Sequence, residues 1–190
     1  EGKGRDEDKL AYLRNENQFR NVLLVEQPNG NFADTMARQF YYDQWNYLLL
    51  NQLQKSSDTR IAAIAEKSFK EVSYHVRRSS EWVVMLGDGT DESHAKIQQA
   101  LDKLRPYTGE LFVMDVIDNE LVVKGIACDA STLRDEWQQR VSATLQEATL
   151  KLPEAKWMQS GGKQGIHSES FGFLLAEMQV LQRTYPGASW

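Results

Sequence analysis

The chain has 190 residues, 41% hydrophobic and 26% charged, enough apolar material to bury the core of one domain, so it need not be disordered. A formal net charge of −5 and a sequence pI near 5.3 exclude the basic field that a nucleic-acid binder presents. One cysteine, Cys128, allows no internal disulfide, which fits a reducing cytoplasm, and no apolar run approaches the ~20 residues of a membrane span. No signal-like charged-then-apolar stretch opens the chain, and its start at Glu1 rather than Met reads as a fragment.

Residues 1–20 are mostly polar, and Leu10, Leu13 and Phe19 are the anchors of a short helical piece. Residues 21–26 are apolar, and Gln27-Pro28-Asn29-Gly30-Asn31 has turn chemistry. Asn31 is an N-cap with Asp34 in the capping-box position, and Asp34, Ala37, Tyr41, Trp45 and Leu48 share a face of a helix reaching about Gln54. After the break at residues 55–58, Asp58 caps a long helix ended by Gly87-Asp88-Gly89, where glycine accepts the left-handed conformation. Ile61, Ala65, Ser68, Val72, His75, Ser79 and Val83 recur at steps of three and four, which places them on one face. Thr90 or Asp91 caps a third helix with Ile97, Leu101 and Leu104 inward, and Pro106 interrupts it. Leu111, Phe112 and Met114 continue the apolar character, and residues 115–130 read as irregular. Thr132, with Asp135 three later, opens a fourth helix carrying Trp137, Val141, Leu145 and Ala148. Residues 153–165 read as loop; Ser168 then caps a last helix with Leu174, Leu175, Met178 and Leu181 inward, stopped by Pro186-Gly187. No stretch alternates as a strand does, so the class is all-α.

The chemistry centres on His75, expected to point into whatever its helix packs against. Di-iron carboxylate bundles place a Glu and a His three apart on one helix face, so that both reach one metal. Here the position three before His75 is Val72. Glu71 is one residue off, about 100° around the helix, and cannot share a metal with His75 without distortion. Asp34 and His75 face each other if their helices are antiparallel, but the structural readings outweigh ligation: a first-turn acid favoured by the helix dipole, and a hydrogen-bonded core histidine. Glu71 with His75 or Arg78 is most simply an ion pair at helical spacing. Asp91-x-x-His94 has ligand types but lies at a polar helix start, and capping outweighs metal binding. The loop from Gly161 to Gly165, with Lys163, could hold a phosphate of a nucleotide or coenzyme A, yet it lacks the preceding strand and the Lys-Ser/Thr end of a phosphate loop. His167 precedes a helix start with no Ser or Cys nucleophile beside it, so a structural role outweighs a catalytic one.

Long stretches carry a family resemblance: Leu23 to Thr35 (LLVEQPNGNFADT), Lys70 to His75 (KEVSYH), Glu147 to Leu150 (EATL), Gly161 to Lys163 (GGK), Gly165 to Glu169 (GIHSE), Leu175 to Arg183 (LAEMQVLQR) and Pro186-Gly187. Across nearly the whole chain the sequence resembles the PaaC-type subunit of ring-1,2-phenylacetyl-CoA epoxidase, a multicomponent oxygenase of phenylacetate catabolism. The resemblance implies a ferritin-like helical bundle, a single domain over residues 1–190, and further helices before the point where this chain begins. It also implies a supporting role. The catalytic relative carries the di-iron site and binds the acyl-CoA, while the PaaC-type subunit has lost metal ligands and is its tight partner. The catalytic relative has Glu where this chain has Val72, keeps the His matching His75, and has a carboxylate where Asp34 falls.

The expectation is therefore a non-catalytic structural subunit in the cytoplasm, with no cofactor of its own. Di-iron belongs to the partner subunit, and NADPH supplies electrons through a reductase subunit. No residue is expected to be catalytic or metal-binding, and Asp34, Val72 and His75 are degenerate ligand positions. The partners expected are the catalytic subunit and other subunits of the complex, with no nucleic acid and no membrane, and the isolated chain self-associates through uncovered apolar faces. The rival readings are a self-sufficient di-iron oxygenase, which needs a carboxylate at position 72, and a helical adaptor without redox chemistry.

Overall fold

The computed structural model describes residues 4–188. Seven α-helices and no strand occur among them: α1 (Glu7–Tyr12), α2 (Phe32–Leu53), α3 (Thr59–Gly87), α4 (Asp91–Leu104), α5 (Val116–Val123), α6 (Arg134–Glu147) and α7 (Glu169–Thr184). They fall into two compact units, Pro28–Gln159 with α2 to α6, and Glu1–Gln27 with Ser160–Trp190, holding α1 and α7. No helix among the described residues is long and apolar enough to cross a membrane.

In the larger unit the helix starts follow the sequence. Asn31 Oδ1 accepts from the N–H groups of Ala33 (2.8 Å) and Asp34 (3.2 Å), and Asp34 Oδ2 accepts from the Asn31 N–H at 2.9 Å. This reciprocal box satisfies donors that a helix start leaves open. Gly30 at φ +54° precedes it, where a Cβ would strike the Asp34 carboxylate. Asp58 caps α3 by accepting from Arg60 N (2.9 Å) and Ile61 N (3.3 Å), bonds that hold its carboxyl below the usual range. The rings of Phe32 and Trp82 meet at 4.8 Å and those of Tyr47 and Phe69 also at 4.8 Å. Rising numbers on α2 thus meet falling numbers on α3, an antiparallel pair. Ser56 Oγ donates to the Ile126 carbonyl (2.7 Å) and Ser57 N to the Gly125 carbonyl (2.9 Å), which ties their connection to the end of α5.

Several boundaries differ from the expectation. Gly87 is helical rather than left-handed, and Asp88 (φ −91°, ψ 8°) is the C-cap. Glycine serves there because a Cβ would lie inside contact distance of the Ala148 carbonyl. Thr90 caps α4, and Pro106 sits in a 3-10 turn, Arg105–Tyr107, that follows its last residue. The segment expected to be irregular contains α5. Asp115 Oδ1 accepts from Asp118 N at 2.8 Å and Asp118 Oδ2 from Asp115 N at 3.1 Å, a capping box built from two aspartates. Asp129, not Thr132, initiates the next element: its Oδ1 accepts from Ser131 N at 2.9 Å, and a 3-10 turn over Ala130–Leu133 runs into α6.

The core gathers on Tyr41, Phe40 and Leu48 of α2, Ile97 and Leu101 of α4, and Trp137, Val141 and Leu145 of α6. Trp137 Nε1 donates to the Tyr41 carbonyl at 3.0 Å, and Tyr41 Oη donates to the Leu101 carbonyl at 3.4 Å, so the polar ends of both rings are met inside it. Of the face expected on α2, Ala37, Tyr41 and Leu48 are buried; Asp34 and Trp45 lie at its edges, and Phe40, Asp43 and Gln44 share it instead.

In the smaller unit α1 packs on α7. Gln179 Nε2 donates to the carbonyls of Ala11 (3.0 Å) and Arg14 (2.9 Å), closing the C-terminal end of α1. Phe19 meets Phe171 edge-on at 5.4 Å. Of the four residues expected inward on α7 only Leu175 is buried, together with Gln179; Leu174, Met178 and Leu181 are exposed. A 100° step per residue puts Leu175 and Gln179 on one side and that trio on the next.

Candidate functional site

The face of α3 that packs inward is defined by Ala65, Val72, Val76, Ser79 and Val83. By helical geometry Val72 lies within ~20° of the centre of that face, and His75 about 80° away from it. Val72 therefore fills the core, and His75, expected to point inward, stands at the flank. Its side chain is 41% exposed, with Nε2 4.0 Å from Glu71 Oε1, the helical pair the spacing predicted.

A cleft of about 350 Å³ opens at that flank between α2 and α3, lined by Gln39, Asp43, Tyr74, His75, Arg78 and Ser79 among others. Its acid is Asp43, which the sequence reading missed. Asp43 is 1% exposed. Gln39 Nε2 donates to its Oδ1 at 2.5 Å, and its Oδ2 is buried without a hydrogen-bond partner. Burial pushes the Asp43 carboxyl above its usual range, against the opposing pull of Gln39, Ser79 and a charged His75. Gln44, one residue on, bridges to Ser80 (Nε2 to Oγ, 3.0 Å) and accepts from Arg140 Nε at 2.8 Å. Asp34, expected opposite His75, is occupied with its own helix start, nine residues or about 13 Å along α2 from Asp43.

A di-iron centre does not fit these residues. Such a centre takes six inward side chains from four helices, with Glu and His three apart. Here the Glu position is a core valine, the histidine is at the flank, and the acid of the cleft, Asp43, is pushed toward its neutral form. No group of three or more His, Cys, Asp or Glu able to hold a metal ion occurs among the described residues.

The other candidates resolve into structure. His167 is fully buried against Glu26, with Nδ1 to Oε1 at 2.6 Å. Its Nε2 lies 3.2 Å from the Phe19 carbonyl, which can only accept. Glu26 also accepts from Ser168 N (2.7 Å) and Asn21 Nδ2 (2.6 Å). The buried pair fastens residues 19–26 to the start of α7. The loop from Gly161 to Gly165 lies against the same segment: a Cβ at Gly162 would strike the Asn21 carbonyl, and one at Gly165 the Asn17 carbonyl and Arg20. Gly161 and Gly165 also take positive φ, +130° and +83°. Close backbone approach accounts for the glycines without a phosphate. His94 Nδ1 is 2.7 Å from the Gly87 carbonyl and closes the end of α3, while Asp91 stands in the first turn of α4.

The structure therefore defines an all-α protein of ferritin-like bundle type in which Val72 packs into the core. A family model described as phenylacetic acid catabolic protein (PaaA_PaaC) matches residues 1–190, and the chain belongs to that family. It is 52% identical over 185 residues to a protein of Escherichia coli (strain K12) named as one of the subunits of 1,2-phenylacetyl-CoA epoxidase, a match covering 97% of this chain and 75% of that protein.

Proposed function

We propose that this chain is the structural, non-catalytic subunit of a phenylacetyl-CoA epoxidase, holding an iron-bearing catalytic subunit in its working shape by helix packing. The similarity to a protein named as a subunit of that enzyme supports the assembly. The observation that carries the non-catalytic part is Val72, buried at the centre of the α3 face where a metal site needs a carboxylate. The same residue disfavours a self-sufficient di-iron oxygenase. On this reading the chain needs no cofactor; di-iron resides in the partner and NADPH delivers electrons through a reductase subunit, all in the cytoplasm. The chain counts as one helical domain of the ferritin-like type, and alone it self-associates through uncovered apolar surface.

The test is iron analysis of the chain after loading, alone and mixed with the catalytic subunit. The expected result is iron on the catalytic subunit and less than about 0.1 iron per copy of this chain, since bundle sites require convergent carboxylates. One or more tightly held irons per copy, or failure of the two chains to co-purify, overturns the reading.

A further inference from the structure

No further inference is drawn: the strongest candidate, the open cleft between α2 and α3 above the buried Asp43, belongs to the site already described, and nothing in the structure shows what covers it.

Discussion

Restoring the missing carboxylate by Val72→Glu tests whether one residue separates this chain from a metal site. Val72 is 6% exposed, and full burial of a valine stabilises by roughly 1.5–3 kcal/mol, which the substitution forfeits in large part. The new carboxyl group enters the same packed face, and an uncompensated buried polar group costs about 1–3 kcal/mol more by mutational measures. The sum is a loss of roughly 3–5 kcal/mol, among the larger effects of single substitutions. For a chain of 150–250 residues each kcal/mol shifts the melting point by about 2–4 °C, so the midpoint falls by ~6–20 °C. Val72→Gln, similar in shape but unable to ionise, loses a comparable amount. The Glu-x-x-His spacing with His75 is then complete, yet iron remains unbound and phenylacetyl-CoA is not turned over, because His75 points to the flank and Glu71 to solvent. Calorimetric melting, iron stoichiometry and a turnover assay on the variant read these outcomes. A midpoint shift under ~2 °C would show that the face is not packed as described. Stoichiometric iron or turnover would refute the argument from ligand geometry.

His167→Ala removes the buried partner that Glu26 Oε1 meets at 2.6 Å and destabilises by about 1–3 kcal/mol; a double-mutant cycle with Glu26→Gln in urea unfolding shows strong coupling, and additive losses contradict the pairing. Asp43→Asn tests the raised carboxyl: the folded state holds its proton more tightly than the unfolded chain, so wild-type stability falls as pH rises from the usual value of 3.8 through the raised one, then levels off. The asparagine does not titrate, so its stability relative to wild type increases across that window and is greatest at neutral pH; urea unfolding at pH 4 to 8 checks this, and a constant gap or the opposite slope refutes it. Gly162→Ala sets a methyl group against the Asn21 carbonyl and destabilises by roughly 1–3 kcal/mol although φ there is not positive, a loss that thermal unfolding measures directly.

The features legible in the sequence are those whose partners lie within one helical turn. Asn31 with Asp34, and Asp58 before Ile61, announce helix starts because the capping bonds are local. Trp137, Val141 and Leu145 are buried as their spacing predicts. The capping box of α5 passed unseen because an Asp-x-x-Asp pair is not the usual Ser/Thr-x-x-Glu signature. On α7 four apolar residues span more arc than one packing face can cover, and nothing in the spacing shows that Gln179 takes the inner position by closing α1. Asp43 was invisible for a related reason. An acid within a helix reads as solvated, and only the approach of α3 turns it into a buried group. The pairing of Glu26 with His167 joins residues 141 positions apart, which no spacing rule reaches.

Val72 and Asp43 form one argument when taken together. An iron site concentrates carboxylates at the centre of a bundle, and those charges are tolerable only because the metal balances them. Had the α3 face kept its carboxylate without a metal, that charge would add to the buried Asp43 on the same side of the helix pair, and like charges in low dielectric raise each other's pKa at the expense of stability. Two features of this face lower that charge. Position 72 is an apolar core residue, and burial pushes Asp43 toward its neutral acid. The substitution at 72 is thus matched by its surroundings, and the face is self-consistent as packing.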